Sequence, residues 1–253
     1  MINIYRLSHN PFASVYTLRS ILGAPMFDIL YQNSDFLVIN KHPNVSVHKD
    51  DGETSLLIEL AKVTGDKQLY LIHRLDKMTS GLLLIGRNQS AASELSQLFA
   101  KRLVEKYYLA IGDKKPKKKQ GLVIGDMERS RRASWKLINS KENPAITQFF
   151  STAAHNGNRL FLCKPHTGKT HQIRVALKSV GSGILGDSIY SSSKADRGYL
   201  HAYALRFTYQ EQAFEFVETP KQGEEWQDDI IQAGLAQWQT PWTLTWPEIK
   251  KKS

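Results

Sequence analysis

Leu69 to Gly86 reads LYLIHRLDKMTSGLLLIG, two apolar runs held apart by a charged loop, and its reading decides the fold. The flanking runs, YLI and GLLLI, are apolar without alternation, the mark of strands covered on both faces. Between them the chain places His73, Arg74, Asp76, Lys77 and Thr79. An acid set between Arg74 and Lys77 in a basic protein calls for a reason, and the rest of the sequence supplies one.

Working outward, FDILYQ and FLVINK read as paired strands around the polar turn NSD. TSLLIELAKVTG reads as a helix with Thr54 as N-cap, Leu56, Leu57, Leu60 and Val63 on one side, and Gly65 as its stop. Asn88 caps a second helix reaching about Leu103, with Leu95, Leu98, Phe99 and Arg102 or Leu103 at helical spacing. Strands follow at KYYLAIG, GLVIGDM, ASWKLIN, AITQFFSTA and RLFLCK. THQIRVALKSVG then reads as a short helix, LHAYALRFTY with AFEFVE as a hairpin, and EEWQDDIIQAGLAQW as an amphipathic helix before a frayed KKKS tail. Many strands with scattered helices and no strand–helix alternation predict an α+β fold around a mostly antiparallel mixed sheet. Residues 1–25 read as an N-terminal arm, or as sequence ahead of a mis-assigned start. Residues 26–253 read as one catalytic domain.

Composition narrows the function. The 253 residues carry a net charge of +10, which favours a polyanionic partner because Lys and Arg contacts to phosphate release condensed counterions. The single cysteine, Cys163, excludes an internal disulfide and any multi-cysteine zinc site. No apolar run reaches membrane-spanning length and no signal-peptide pattern is present, so a cytoplasmic protein is expected. TGKT at Thr167–Thr170 is not a phosphate loop, since Cys163 stands where that motif requires glycine. Cys163, His166 and His171 lack the paired spacing of a zinc site, so no metal is expected. No G-x-S-x-G elbow supports a serine hydrolase. DKKPKKK, Asp113 to Lys119, is the one charge run: a solvated loop, or an arm that meets phosphates.

Within THQIRVALK, the helical spacing puts His171, Arg174 and Lys178 on one face and Ile173, Leu177 and Val180 on another. The preceding TGK could hold a phosphate through backbone N–H groups and Lys169. Asp76 alone would be a turn former. As a nucleophile or base it must stay ionised, and a guanidinium from Arg74 or Arg174 favours that form. In KYYLA only one tyrosine can face a given side, and a tyrosine at a pocket edge can stack on a base drawn out of RNA.

Taken together, HRLDKMTSGLLLI closely resembles the H-R-L-D-x-x-T-S-G catalytic motif of the RluA-type RNA pseudouridine synthases. The resemblance runs from about Met26 to about Pro220. It takes in INKHPNVSVH, VEKYYLAIG, PHTGKTHQIRVALKSVGSGILGDSIY and LHAYALRF, in the family's order. It implies the pseudouridine synthase catalytic fold with an RNA-binding cleft, and from the short N-terminal segment the S4 domain of some relatives is expected to be absent. It further implies isomerisation of uridine to its C-glycoside without a cofactor. The N1–C1′ bond breaks, the base rotates and C5–C1′ forms. By the same resemblance Asp76 is the catalytic aspartate, acting as nucleophile on C1′ or as base on the C2′ proton. Tyr108 is the pocket tyrosine, by its K-x-Y spacing from Lys106. Arg174 is the arginine that pairs with the aspartate, and Leu200 lines the uracil pocket. His73, Arg74, Thr79, Lys169, His171 and Gln172 belong to substrate-binding motifs.

The chain departs from the pattern at Ala176, where the family carries histidine, at Gly183, where it carries proline, and in lacking HP after the final L-x-F. None of these removes an expected catalytic group. The implied partner is structured RNA, ribosomal before transfer RNA, with the protein a monomer. Two rivals are a non-catalytic RNA-binding or ribosome-assembly protein, which would have lost Asp76 or Arg174, and a nucleoside glycosidase. The latter needs two carboxylates, and Asp76 is the one read as available in the matched motifs.

Overall fold

A computed structural model describes residues 4–6 (backbone only), 25–47, 56–131 and 133–249. The expected N-cap Thr54, the KKKS tail from residue 250 on, and the N-terminal arm apart from residues 4–6 and Pro25 lie outside the described residues. The chain forms two compact units, each built from two stretches of sequence. The first comprises Met1–Val104 and Ala202–Pro220, the second Glu105–His201 and Lys221–Ser253. The fold is α+β, as expected. No helix among the described residues is long and apolar enough to cross a membrane.

In the first unit, β1 (Ile4–Arg6), β2 (Phe27–Gln32), β3 (Phe36–Lys41), β4 (Tyr70–Leu71) and β5 (Ser80–Gly86) combine with helices α1 (Leu56–Thr64) and α2 (Gln89–Ala100). β3 and β5 are buried at every residue and form the spine; the GLLLI run predicts this for β5, whereas β4, from the YLI run, is only half-buried. They pair antiparallel from Phe36↔Gly86 to Lys41↔Gly81. β2 flanks β3, with an irregularity at Ile29/Tyr31. The later strands β11 (Leu200–Tyr209) and β12 (Gln212–Val217) return to this unit and form a hairpin. Its turn residues Gln210 and Glu211 both have positive φ, 48° and 62°, the signature of a type I′ turn without the usual Asn or Gly. β12 pairs in parallel with β1, a strand that no apolar pattern in the first residues announces. Phe207 stacks on Phe214 at 5.4 Å, and Phe36 meets Phe214 edge-on at 5.2 Å, filling the space between these strands.

α2 starts where expected: Asn88 accepts a hydrogen bond from the Ala91 N–H at 2.8 Å. It stops earlier than the apolar spacing implies. Arg102 takes φ 60° and the Leu103 N–H reaches back to the Leu98 carbonyl at 2.9 Å, a Schellman closure with arginine in the place glycine usually fills. Leu103 is thereby left 59% exposed.

The second unit holds an antiparallel sheet in the order β6 (Glu105–Gly112), β10 (Arg159–Pro165), β9 (Ala145–Ala153), β7 (Gln120–Arg129), β8 (Trp135–Ile138). Helices α3 (Gln172–Ser179) and α4 (Asp229–Ala236) complete it. The C-terminal pattern read as one helix is two: a 3₁₀ turn at Glu224–Gln227, then Asp228 in extended backbone capping α4 through its carboxylate. Gly234 lets α4 lie against Leu160 and Thr152, because a Cβ there would sit 2.8 Å from Leu160 Cδ2.

Gly81 has φ 106°, and a Cβ placed on it runs into the Ala202 backbone carbonyl. Gly81→Ala therefore incurs both backbone strain and a clash in the buried spine, and should lower unfolding free energy by roughly 3 kcal/mol in equilibrium urea denaturation.

Candidate active site

The expected site residues fall in both units. His73, Arg74, Asp76 and Thr79 belong to the first, and Tyr108, Lys169, His171, Gln172, Arg174 and Leu200 to the second.

The first group lies on the loop joining β4 to β5. The Thr79 N–H donates to the Asp76 carbonyl at 2.9 Å, closing a turn, and Thr79 itself is buried. His73 Nε2 accepts from the Leu84 N–H at 3.0 Å, which fixes that nitrogen as unprotonated. Its ring stacks on Phe99 of α2 at 4.4 Å and 15°. His73 thus anchors the loop to β5 and α2. Lys41 anchors it from below. Its fully buried ammonium donates to the carbonyls of His42 and Val45 at 2.9 Å and of Lys77 at 3.3 Å. An unsolvated ammonium is costly unless its protons are bonded, so these carbonyls must stay in place. Sequence reasoning missed Lys41; the signal was a charge closing an otherwise apolar strand, FLVINK. Asp76 is half-buried, between an exposed Arg74 and an exposed Lys77.

In the second group, strand alternation separates the two tyrosines as expected. Tyr107 is fully buried, its hydroxyl donating to Glu105, whose carboxylate also takes Lys164 at 2.7 Å. Tyr108 is half-buried on the opposite side of β6. Gln172 has its amide fully engaged. Its oxygen accepts from Thr167 Oγ1 at 2.6 Å and the Lys169 N–H at 3.0 Å, and its nitrogen donates to the Ile146 carbonyl and Thr147 Oγ1, each at 3.0 Å. It is a strut beneath the Thr167–Thr170 turn. It also takes the Lys169 N–H that the sequence offered to a phosphate, leaving the half-buried Lys169 side chain as the cation there.

The basic face expected on α3 is not a solvent face. Residues 172–177 are all buried, and Arg174 is only 5% exposed. A buried guanidinium needs a counter-charge, and Asp187, at 0% exposure, provides it. Arg174 Nε donates to Asp187 Oδ2 at 2.7 Å and Nη2 to Oδ1 at 2.8 Å, a bidentate fork. Asp187 Oδ1 also accepts the N–H of Ile189 at 3.0 Å and of Tyr190 at 3.3 Å. The Tyr190 ring lies 5.0 Å from the Arg174 guanidinium carbon. Its hydroxyl accepts from the Trp135 N–H at 2.7 Å and shares a second hydrogen bond with His171 Nδ1, 2.9 Å away. His171 sits in left-handed backbone, φ 57°, at the head of α3.

Asp187 corrects the expectation of a single carboxylate in the matched motifs. The VEKYYLAIG and GILGDSIY blocks each contain a further acid, but Glu105 is engaged by the Tyr107 hydroxyl and Lys164 and Asp187 is wholly buried on Arg174, so neither is the free partner that glycosidase chemistry needs. Asp187 was legible only as a motif letter, because its partner lies thirteen residues upstream on another element.

Leu200 is buried and held by its neighbours. The Leu185 N–H donates to the Ile111 carbonyl at 2.8 Å, Tyr199 N–H to Leu185 at 3.0 Å and Ile111 N–H to Tyr199 at 3.0 Å, knitting the strap before Leu200 to β6. Arg197 braces the same strap, donating to the carbonyls of Gly198, Gln222 and Leu200. Burial lowers its pKa to about 10. Cys163 is fully buried, and desolvation pushes its thiol far above the usual range, so it is no nucleophile.

Three comparisons bear on this arrangement. The pattern of the RNA pseudouridylate synthase family matches residues 35–179. A Haemophilus influenzae protein named as an RNA pseudouridine synthase is 49% identical over 201 residues, 79% of this chain and 90% of that one. The ribosomal large subunit pseudouridine synthase C of Vibrio vulnificus is 31% identical over 72% of this chain, which spans 61% of that protein's length. Among solved structures, human RNA pseudouridylate synthase domain containing 1 superposes with a TM-score of 0.67 at 25% identity, over 85% of this chain and 95% of that one.

Asp187→Asn keeps the shape of the Arg174 partner and removes its charge. It should destabilise the protein by about 3 kcal/mol in thermal or urea unfolding. Tyr190→Phe, which loses two hydrogen bonds and keeps the ring beneath Arg174, should cost about 1–2 kcal/mol.

Proposed function

The chain belongs to the RluA-type RNA pseudouridine synthase family, isomerases that convert uridine in RNA to pseudouridine, and from that premise we propose that Asp76 is the group that reacts with the ribose. The observation that carries this is the footing of Asp76. The loop around it is tied by the Thr79 N–H, by His73 and by the buried Lys41, and Asp76 itself is only half-buried. A reacting group needs a backbone fixed in this way to hold it in register with its substrate.

The target uridine first leaves its stack, at a cost of a few kcal/mol. Asp76 then acts at the sugar, on C1′ as nucleophile or on the C2′ proton as base. The N1–C1′ bond breaks, the base rotates, C5 bonds to C1′ and the C5 proton leaves. The step is redox-neutral and draws on no cofactor. Tyr108 stacks on the base and assists removal of the C5 proton. Arg174, never deprotonated in proteins, is the cation the motif assigns to the reacting carboxylate. Leu200 lines the uracil pocket. Arg74, Lys169 and His171 meet the RNA, while His73, Thr79 and Gln172 keep those residues in place.

The substrate we favour is large-subunit ribosomal RNA, ahead of transfer RNA, acted on by a monomer in the cytoplasm. The Vibrio relative's name and the net charge of +10 support that choice. Pseudouridine mapping of total RNA from a deletion strain and its parent tests it. A lost ribosomal site supports the assignment, and a lost transfer-RNA site alone refutes it.

Asp76→Asn should abolish tritium release from C5-labelled uridine RNA while leaving RNA affinity within about twofold; persistent release overturns the assignment. Tyr108→Phe should slow product formation at saturating RNA, by roughly tenfold or more. Tyr107→Phe should leave the rate near that of the parent, since its hydroxyl is turned to Glu105; the opposite ranking would reverse the register.

A further inference from the structure

The run Asp113–Lys119 joins β6 to β7 in the second unit, and its structure differs from that of a solvated loop. Its backbone is tied at four residues. The Asp113 N–H donates to the Gly183 carbonyl at 2.8 Å and the Lys117 N–H to the Val180 carbonyl at 3.0 Å. The Lys114 carbonyl accepts Ser182 Oγ at 2.5 Å, and the Lys119 carbonyl accepts the Ser151 N–H at 2.7 Å and Ser151 Oγ at 2.8 Å. Pro116 is buried at the centre, and the Asp113 carboxylate is turned onto Ser191 Oγ at 2.7 Å. Lys114, Lys115, Lys117, Lys118 and Lys119 all remain exposed.

The fold therefore holds five ammonium groups on a pinned backbone and turns the run's only acid away from them. Fixing like charges together costs energy through mutual repulsion, which a mobile loop would relieve. The negative pole of α3 accounts for part of it, since Lys117 closes that helix end and an exposed Lys178 lies in its last turn. A helix terminus acts as only about half a unit of charge, and five lysines exceed its need. Arg174 lies six residues before Val180 on the same helix, so about 9 Å of helix axis separates the two ends. A strand passing the Arg174 end reaches the lysines within a few nucleotides.

We propose that Lys114–Lys119, with Lys178, form a preordered binding surface for the RNA backbone flanking the target uridine. The surface captures substrate and takes no part in the chemistry. This rests on the reading of the chain as an RNA pseudouridine synthase, but binding can be measured apart from turnover.

The test compares the parent with the five-fold Lys→Gln variant (K114Q, K115Q, K117Q, K118Q, K119Q) and the matching five-fold Lys→Arg variant. The probes are a labelled RNA hairpin for binding and an unmodified large-subunit ribosomal RNA transcript for turnover. In the Gln variant the slope of log K against log salt should fall by about 0.7–0.9 for each phosphate no longer neutralised. Its KM should rise roughly tenfold at about 0.15 M salt, with kcat held within about twofold. The Arg variant should keep the parent's slope and KM. An unchanged slope and KM in the Gln variant overturns the proposal, and so does a fall in kcat at constant KM. A parent that binds the hairpin with the full slope yet forms no pseudouridine refutes the enzymatic reading and leaves this surface standing.

Discussion

A guanidinium buried to 5% exposure cannot stand alone, and the second unit is organised around that constraint. Arg174 requires Asp187, and Asp187 in turn shapes the turn that brings Tyr190 under the guanidinium. The Tyr190 hydroxyl ties β8 and His171 into the same assembly. One charge placed inside the protein thus dictates the course of the chain over some twenty residues. It also gives the arginine a single orientation, which is what a cation serving a fixed reaction geometry requires.

The first unit follows the same logic with a different set of bonds. Lys41 has three carbonyls around its ammonium where Arg174 has a carboxylate fork. His73 adds a bond that needs an unprotonated Nε2. Basic residues that look alike in sequence therefore divide into those that build the scaffold and those, such as Arg74 and Lys77, that reach solvent.

Much of this was legible because the decisive signals are local. The unbroken apolar run GLLLI identified β5, Asn88 identified the start of α2, and strand alternation set Tyr107 and Tyr108 on opposite sides. What escaped depends on partners far away in sequence or on backbone shapes that residue type does not announce. Arg102 in a left-handed cap and Gln210–Glu211 in a type I′ turn break the usual residue preferences, and Asp228 is a favoured N-cap hidden inside what looks like one continuous helical pattern. The helical spacing of His171, Arg174 and Lys178 puts them on one face, but nothing nearby in the chain reveals that Asp187 meets Arg174 there. The pairing of β1 with β12 joins segments about two hundred residues apart, beyond any local pattern.

The interleaving of the two units has a consequence for biosynthesis. β5 is finished at Gly86, but the β11 residues that complete its edge begin at Ala202, after the Glu105–His201 stretch of the second unit has been translated. At ribosomal speeds of about 5–20 residues per second the nascent chain carries that apolar, unpaired edge for roughly ten seconds. Open edges of this kind invite association between chains, so the emerging polypeptide is a natural client for chaperones that shield hydrophobic strands until the return segment arrives.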